Sequence, residues 1–249
     1  MSSNVLFYGE IVPLNRERHR DVRLNIGPDR FGFARGSHVI PAVVDEMVAG
    51  GPHLPIMFLP GPKFPVPVFL VGLHTNQNAM VNEQGAWVGD YVPAFVRRYP
   101  FMFGEVEGRD PVTCIDEAYV NAKATKGERL FNADGTETAL LEERIRLMSE
   151  YFVAAKRNDE FAKRINELQL LRSVTIDAQF ESGDSASVNG LLTIDVAKFD
   201  ALPDKDFLKL RKDRFLPAIY AHFASLAGIE RLRRYVDERR KSKGATKSA

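Results

Sequence analysis

Arg97 and Arg98 stand side by side in Tyr91-Val92-Pro93-Ala94-Phe95-Val96-Arg97-Arg98-Tyr99-Pro100-Phe101, a stretch dense in aromatics and closed by proline. A guanidinium fork matches a carboxylate bidentately, and tyrosine and arginine are enriched at binding hot spots. The chemistry this offers is apolar anchoring beside carboxylate recognition, so Tyr91, Phe95, Arg97, Arg98 and Tyr99 are the candidate contact residues for a peptide or protein. Written as a short helix over 91–99, cut at Pro100, the segment puts Tyr91, Phe95 and Arg98 on one face and Pro93, Val96 and Tyr99 or Pro100 on another. The competing reading fills the core with the aromatics and has the arginines brace acidic neighbours. Burial preferences alone favour that second reading.

Asp116 and Glu117 are the best adjacent carboxylates and could serve acid–base or metal chemistry. Following a strand at 112–115, they point to opposite faces, so the expectation is an ion-pair role with Arg97 or Arg98. His19-Arg20-Asp21 has the H-x-D spelling of a non-haem iron site, but Arg16, Arg18, Arg20 and Arg23 crowd it with positive charge. An exposed charged arm is expected there, and His19 joins Asp116 and Glu117 as the polar set of an enzyme reading. Residues 130–141 place Leu130 and Leu141 where a calcium loop needs acids. Gly183-Asp184-Ser185-Ala186-Ser187 lacks the closing glycine of a nucleophile elbow. Cys114, in a strand, reads as a buried inert thiol. Gly27, Gly32 and Gly36 have neither phosphate-loop nor dinucleotide spacing. No metal and no organic cofactor is expected.

The elements that must position these residues are short. The chain has 249 residues, 45% of them hydrophobic, enough for a substantial core. Lys+Arg 34 against Asp+Glu 33 gives a net charge of +1, so no global field draws it to nucleic acid or membrane. The cations from Arg231 to Lys243 are diluted by Glu230, Asp237 and Glu238 and read as a solvated terminus. A single cysteine fits a reducing compartment, and with no basic apolar leader at the start the expected location is cytoplasmic. Leu54–Leu73 is apolar, but Pro55, Pro60, Pro62, Pro65 and Pro67 forbid a spanning helix; two strands joined by a Pro-Gly-Pro turn fit better.

The expected fold class is α+β, a single unit with a strand-rich N-terminal half and a helix-rich C-terminal half containing a β-hairpin. Strands are expected within 4–26, at Phe31–Ala34, Pro55–Leu59, Val66–Leu73, Phe101–Val106 and Val112–Ile115, with a short helix over Ile40–Met47 and a hairpin turn at Asn82–Gly85. Leu141, Ile145, Met148, Phe152 and Ala155 recur at helical spacing, a second helix covers 159–170, and a hairpin spans 174–195 around Ser182–Ser185. Helices at 206–212 and from 216 to 238 follow, the last interrupted or bent at Gly228. The domain is expected to cover 1–238, leaving 239–249 as a basic disordered tail.

Phe7-Tyr8-Gly9-Glu10-Ile11-Val12-Pro13-Leu14-Asn15-Arg16-Glu17-Arg18-His19 resembles the opening of SapC-type proteins, associated with bacterial surface layers. Tyr91–Phe101, Cys114-Ile115-Asp116-Glu117, Leu130-Phe131 with Asp134-Gly135, and Ile219-Tyr220-Ala221-His222 match the same family in order along nearly the whole chain. The resemblance implies an accessory role in handling or modifying peptides or proteins, alongside halogenase-like or cupin-like modifying enzymes. It brings no catalytic residues with it. Two function classes follow: a non-enzymatic accessory or binding protein for a peptide or protein partner, or an enzyme whose polar residues around Asp116, Glu117, Arg97 and Arg98 converge in three dimensions.

Overall fold

The computed structural model describes residues 5–104, 108, 110–122 and 126–247; the expected strand ends at Asn4 and Val106 lie outside them. The first half supplies β1 (Ile11–Pro13), β2 (Arg23–Leu24), β3 (Val39–Pro41), α1 (Met47–Gly50), β4 (Ile56–Leu59), β5 (Val66–Leu70), α2 (Ala94–Arg97), β6 (Phe101–Gly104), β7 (Val112–Asp116), α3 (Glu117–Asn121) and β8 (Glu128–Arg129). The second supplies α4 (Ala139–Glu167), β9 (Leu171–Gln179), β10 (Ser185–Ile194), α5 (Val196–Asp200), α6 (Asp204–Lys212), α7 (Leu216–Ser225) and α8 (Gly228–Lys247). The class is α+β, strands first and helices around a hairpin second, as the patterning predicts.

An antiparallel sheet in the order β3-β5-β4-β10-β9 joins strands from both halves. Its centre comes from the proline-broken apolar run: Ile56, Met57 and Phe58 are fully buried and pair with Pro67–Phe69 of β5. Gly61 makes the turn between them, where a Cβ would lie 2.1 Å from the Phe64 carbonyl oxygen. A second sheet, β1-β7-β6, holds Asp116 at the end of its central strand. Each sheet has its own apolar cluster, and α4 enters both, with Leu141 and Met148 in the smaller and Phe161 and Ile165 in the larger.

Three local expectations are corrected. Phe31–Ala34 lies in a 3-10 segment, Pro28–Gly36, rather than a strand. Pro28 presets its φ, and the two buried side chains, Phe31 and Ala34, are three apart, the period of that helix. Ile40–Met47 is divided: Val39–Pro41 is an edge strand, where proline's missing donor costs nothing, and helical structure begins only at Val44. Residues 139–167 form one helix, not two. Its polar middle braces distant backbone instead of breaking the helix: Asn158 accepts from Val44 N–H at 2.6 Å and donates to the Ala42 carbonyl at 2.8 Å. The last helix, α8, runs from Gly228 to Lys247.

The seam between the halves is pinned by α7. His222 is fully buried; its Nε2 accepts from Ile194 N–H at 3.1 Å and faces the Thr193 hydroxyl at 3.0 Å, and its Nδ1 donates to the Ile56 carbonyl at 2.9 Å. Ile56 N–H in turn donates to Ser225 Oγ. These bonds require the neutral ring, and burial lowers the pKa of His222 to about 4. The unfolded ring, near 6.5, takes its proton first as pH falls, so the neutral ring's contribution is intact above about 6.5 and is lost between there and about 4, worth roughly 3 kcal/mol at most. Urea unfolding at pH 7 and pH 4.5 should show this loss, and in His222→Gln the share of the loss belonging to this ring should vanish. An unchanged acid dependence in that variant would show the ring is not responsible.

Candidate functional site

The helix at the candidate segment is only Ala94–Arg97, shorter than the 91–99 expected, because a buried carboxylate organises the residues before it. Glu46, 7% exposed, accepts at Oε2 from Ala94 N–H at 2.9 Å and from the Tyr91 hydroxyl at 2.8 Å, and at Oε1 from Val43 N–H at 3.0 Å. Burial still outweighs these bonds and raises the Glu46 pKa. Glu46 thus caps two short helical segments at once. Sequence reading placed it inside a helix; its spacing of three from Val43 is the signal that was available.

The five candidate residues take unequal positions. Phe95 is buried, and Tyr91 and Tyr99 are half-buried with both hydroxyls engaged. Tyr99 stacks on Phe33 at 3.9 Å between ring centres and donates to Asp116 Oδ2 at 3.1 Å. Arg97 is exposed, its Nε donating to the Val92 carbonyl at 3.0 Å. Arg98 turns inward: its guanidinium carbon lies 4.3 Å from the Phe95 ring centre, 4.5 Å from Tyr151 and 5.6 Å from Tyr8, with Nε buried and unpartnered. Burial pushes the Tyr151 hydroxyl up to about 12, partly offset by this cation. Neither arginine forms an ion pair among the described residues.

The expected pairing of Arg97 or Arg98 with Asp116 or Glu117 is therefore corrected. The two carboxylates do diverge, as adjacent strand-end residues should. Asp116 caps α3 through Ala118 N–H at 3.1 Å, and the same oxygen accepts from Gly9 and Glu10 N–H, each at 3.2 Å. Glu117 instead meets Arg18 at 2.5 Å. His19, expected on an exposed arm, is fully buried; Asn15 N–H donates to its Nδ1 at 2.9 Å, which leaves the proton on Nε2, 3.8 Å from Glu117 Oε2. Neither of those facing atoms has a hydrogen-bond partner. Burial lowers the His19 pKa, opposed by the negative charge of Glu117. The structure brings His19 to Glu117 and Tyr99 to Asp116, and keeps both arginines apart from them.

Among the described residues no three His, Cys, Asp or Glu side chains gather to hold a metal, and no helix is long and apolar enough to cross a membrane. A shallow groove of about 590 Å³ between α1, α7 and α8, lined by Val48, Tyr220 and Arg231 among others, contains none of the candidate residues. Cys114 is buried with its thiol pKa raised by burial, a core position.

The SapC family model matches residues 14–232. The chain belongs to the SapC family. No curated protein and no solved structure matches it. The family match takes in the Arg18–Glu117 pair, the whole 91–101 segment and the His222 seam, while Gly9 and Glu10, which Asp116 holds, lie just before it.

Asp116→Ala would strand three backbone donors and the Tyr99 hydroxyl, and should cost about 3 kcal/mol or more in urea unfolding. Arg18→Ala, which opens an ion pair whose arginine is 58% exposed, should cost under about 1 kcal/mol. Equal losses in the two variants would contradict this division.

Proposed function

We propose that this family member is a non-enzymatic binding protein for a peptide or protein partner, with Arg97 and Arg98 as the contact cations, bordered by Tyr91, Phe95 and Tyr99. The observation that supports it is Arg98: a guanidinium oriented by three aromatic rings yet without a carboxylate. A half-buried cation held in place and left unpaired costs little extra ordering when it meets an anion. Exposed Arg97 beside it offers a second charge, and the rim of rings offers apolar contact. A peptide with an apolar or aromatic residue next to a carboxylate fits this surface. The resemblance adds a partner class, modifying enzymes of the halogenase-like or cupin-like kind acting on the same peptide.

The enzyme alternative around Asp116, Glu117, Arg97 and Arg98 has less in its favour. Asp116 spends both oxygens on protein donors, and the arginines do not reach the carboxylates.

The test is a display library of short peptides, each presented with a free and with an amidated C-terminus. Binding should favour free carboxylates and fall at least about tenfold in Arg97→Ala and in Arg98→Ala. Arg97→Ala should leave stability within about 0.5 kcal/mol, whereas Arg98→Ala should cost about 1–2 kcal/mol through lost ring contacts. Binding that is retained per folded molecule in both variants would place the site elsewhere.

A further inference from the structure

β9 forms one edge of the five-stranded sheet, and among the described residues no backbone bonds its outer side. Phe180 N–H donates to the Asp184 carbonyl and Asp195 N–H to the Leu170 carbonyl, so the even-numbered residues of β9 direct their backbone groups at β10. The backbone groups of Leu171, Ser173, Thr175, Asp177 and Gln179 therefore face outward. The irregularity in the hairpin lies on the other strand, where Asn189 and Gly190 stand opposite Thr175, so the outer edge of β9 is unbroken.

Edge strands are ordinarily blunted by shortness, proline, lysine or a bulge. The opposite edge, β3, is three residues long and contains Pro41. β9 has nine residues, no proline, no lysine and no bulge; its only charges are Arg172 and Asp177, of opposite sign. From Ser173 onward its side chains alternate: Val174, Ile176 and Ala178 lie on the half-buried to buried face, and Ser173, Thr175, Asp177 and Gln179 on the exposed one, while at the start of the strand Leu171 is half-buried and Arg172 exposed.

We propose that two copies of this chain pair antiparallel through β9 about a two-fold axis at Thr175, joining their sheets into one. The sequence of the strand is complementary to itself in that register, the one that keeps all nine residues of the strand paired. Thr175 is the midpoint of Leu171–Gln179, so the full strand overlaps and all five outward-facing residues meet outward-facing partners. On the core face Val174 then lies opposite Ile176 of the second copy, and Arg172 opposite Ala178. On the exposed face Thr175 meets Thr175 and Asp177 meets Ser173, so no like charges oppose each other. A shift of one residue sets outward backbone groups against inward ones and mixes the faces. A shift that brings Asp177 against Asp177 opposes two carboxylates and discards about half of the overlap. The interface is independent of the arginine surface and goes beyond the binding role.

Because Thr175 faces itself across the axis, charge at that position tests the register directly. Its side chain is exposed and, among the described residues, bonds only Asn189, so substitution should leave the fold intact, as circular dichroism and melting will show. Light scattering at tens of micromolar should find the unaltered chain dimeric. Thr175→Glu and Thr175→Lys should each raise the dimer dissociation constant at least about tenfold, and an equimolar mixture of the two should restore a dimer as the mixed species. Hydrogen exchange at the amides of 173, 175 and 177 should be slow in the dimer and fast in either variant alone. A monomeric unaltered chain overturns the proposal, whether those amides are fast or are slowed by some other segment on the edge. So does a dimer that survives both single variants, or one in which those amides exchange fast.

Discussion

A carboxylate taken out of water has to be satisfied by donors it cannot leave, and the segment Tyr91–Tyr99 has its shape because two carboxylates do this at its ends. Glu46 holds Ala94 N–H and the Tyr91 hydroxyl; Asp116 holds the Tyr99 hydroxyl and the backbone of Gly9 and Glu10. Each lost bond would leave a buried carboxylate less well satisfied, so the arrangement behaves as a clamp rather than as a sum of weak contacts. Between the clamps the chain has room for one turn of helix. That turn sends Arg97 outward and Arg98 inward, and it decides which groups remain for a partner.

The same polar logic operates at the sheet seam. His222 connects strands that are distant in sequence, and Asn158 and Arg157 brace residues 42–45 and 213–214 from the middle of α4. Apolar burial supplies the driving force in both core clusters. It does not by itself choose which backbone groups meet, and these side chains make that choice.

This division explains what could be read in advance. The proline-broken strands β4 and β5, the 171–194 hairpin, the helix periodicity from Leu141 and the break at Gly228 were legible because burial imprints a period on local sequence. The continuity of α4 was not, because Arg157 and Asn158 look like a solvated gap until their partners more than a hundred residues earlier are known. His19 failed for a related reason. Arginines at 16, 18, 20 and 23 suggested a solvated arm, yet Asn15 and Glu117 enclose the ring. Of the candidate site, the residue types and the divergence of Asp116 from Glu117 were legible. The partners of the arginines were not, since adjacency in sequence says nothing about which of two guanidiniums meets a ring.

Three of the stretches that carry the family resemblance, at 7–19, 91–101 and 114–117, converge on one network. Gly9 and Glu10 bond Asp116, Asp116 bonds Tyr99, Arg18 and His19 meet Glu117, and the Tyr8 hydroxyl donates to the Phe101 carbonyl. These stretches therefore specify junctions of the fold: a first strand laid on β7, a capped α3 and a clamped turn between. A signature residue whose polar atoms are all spent inside such a junction has no capacity left for a ligand. By that criterion Tyr91, Tyr99 and Asp116 are structural in the first instance, and Phe95 is a wall of the arginine's frame. What the junctions leave over is the pair of guanidiniums, one exposed and one framed by rings, and that is the ground on which the proposed carboxylate-binding surface rests.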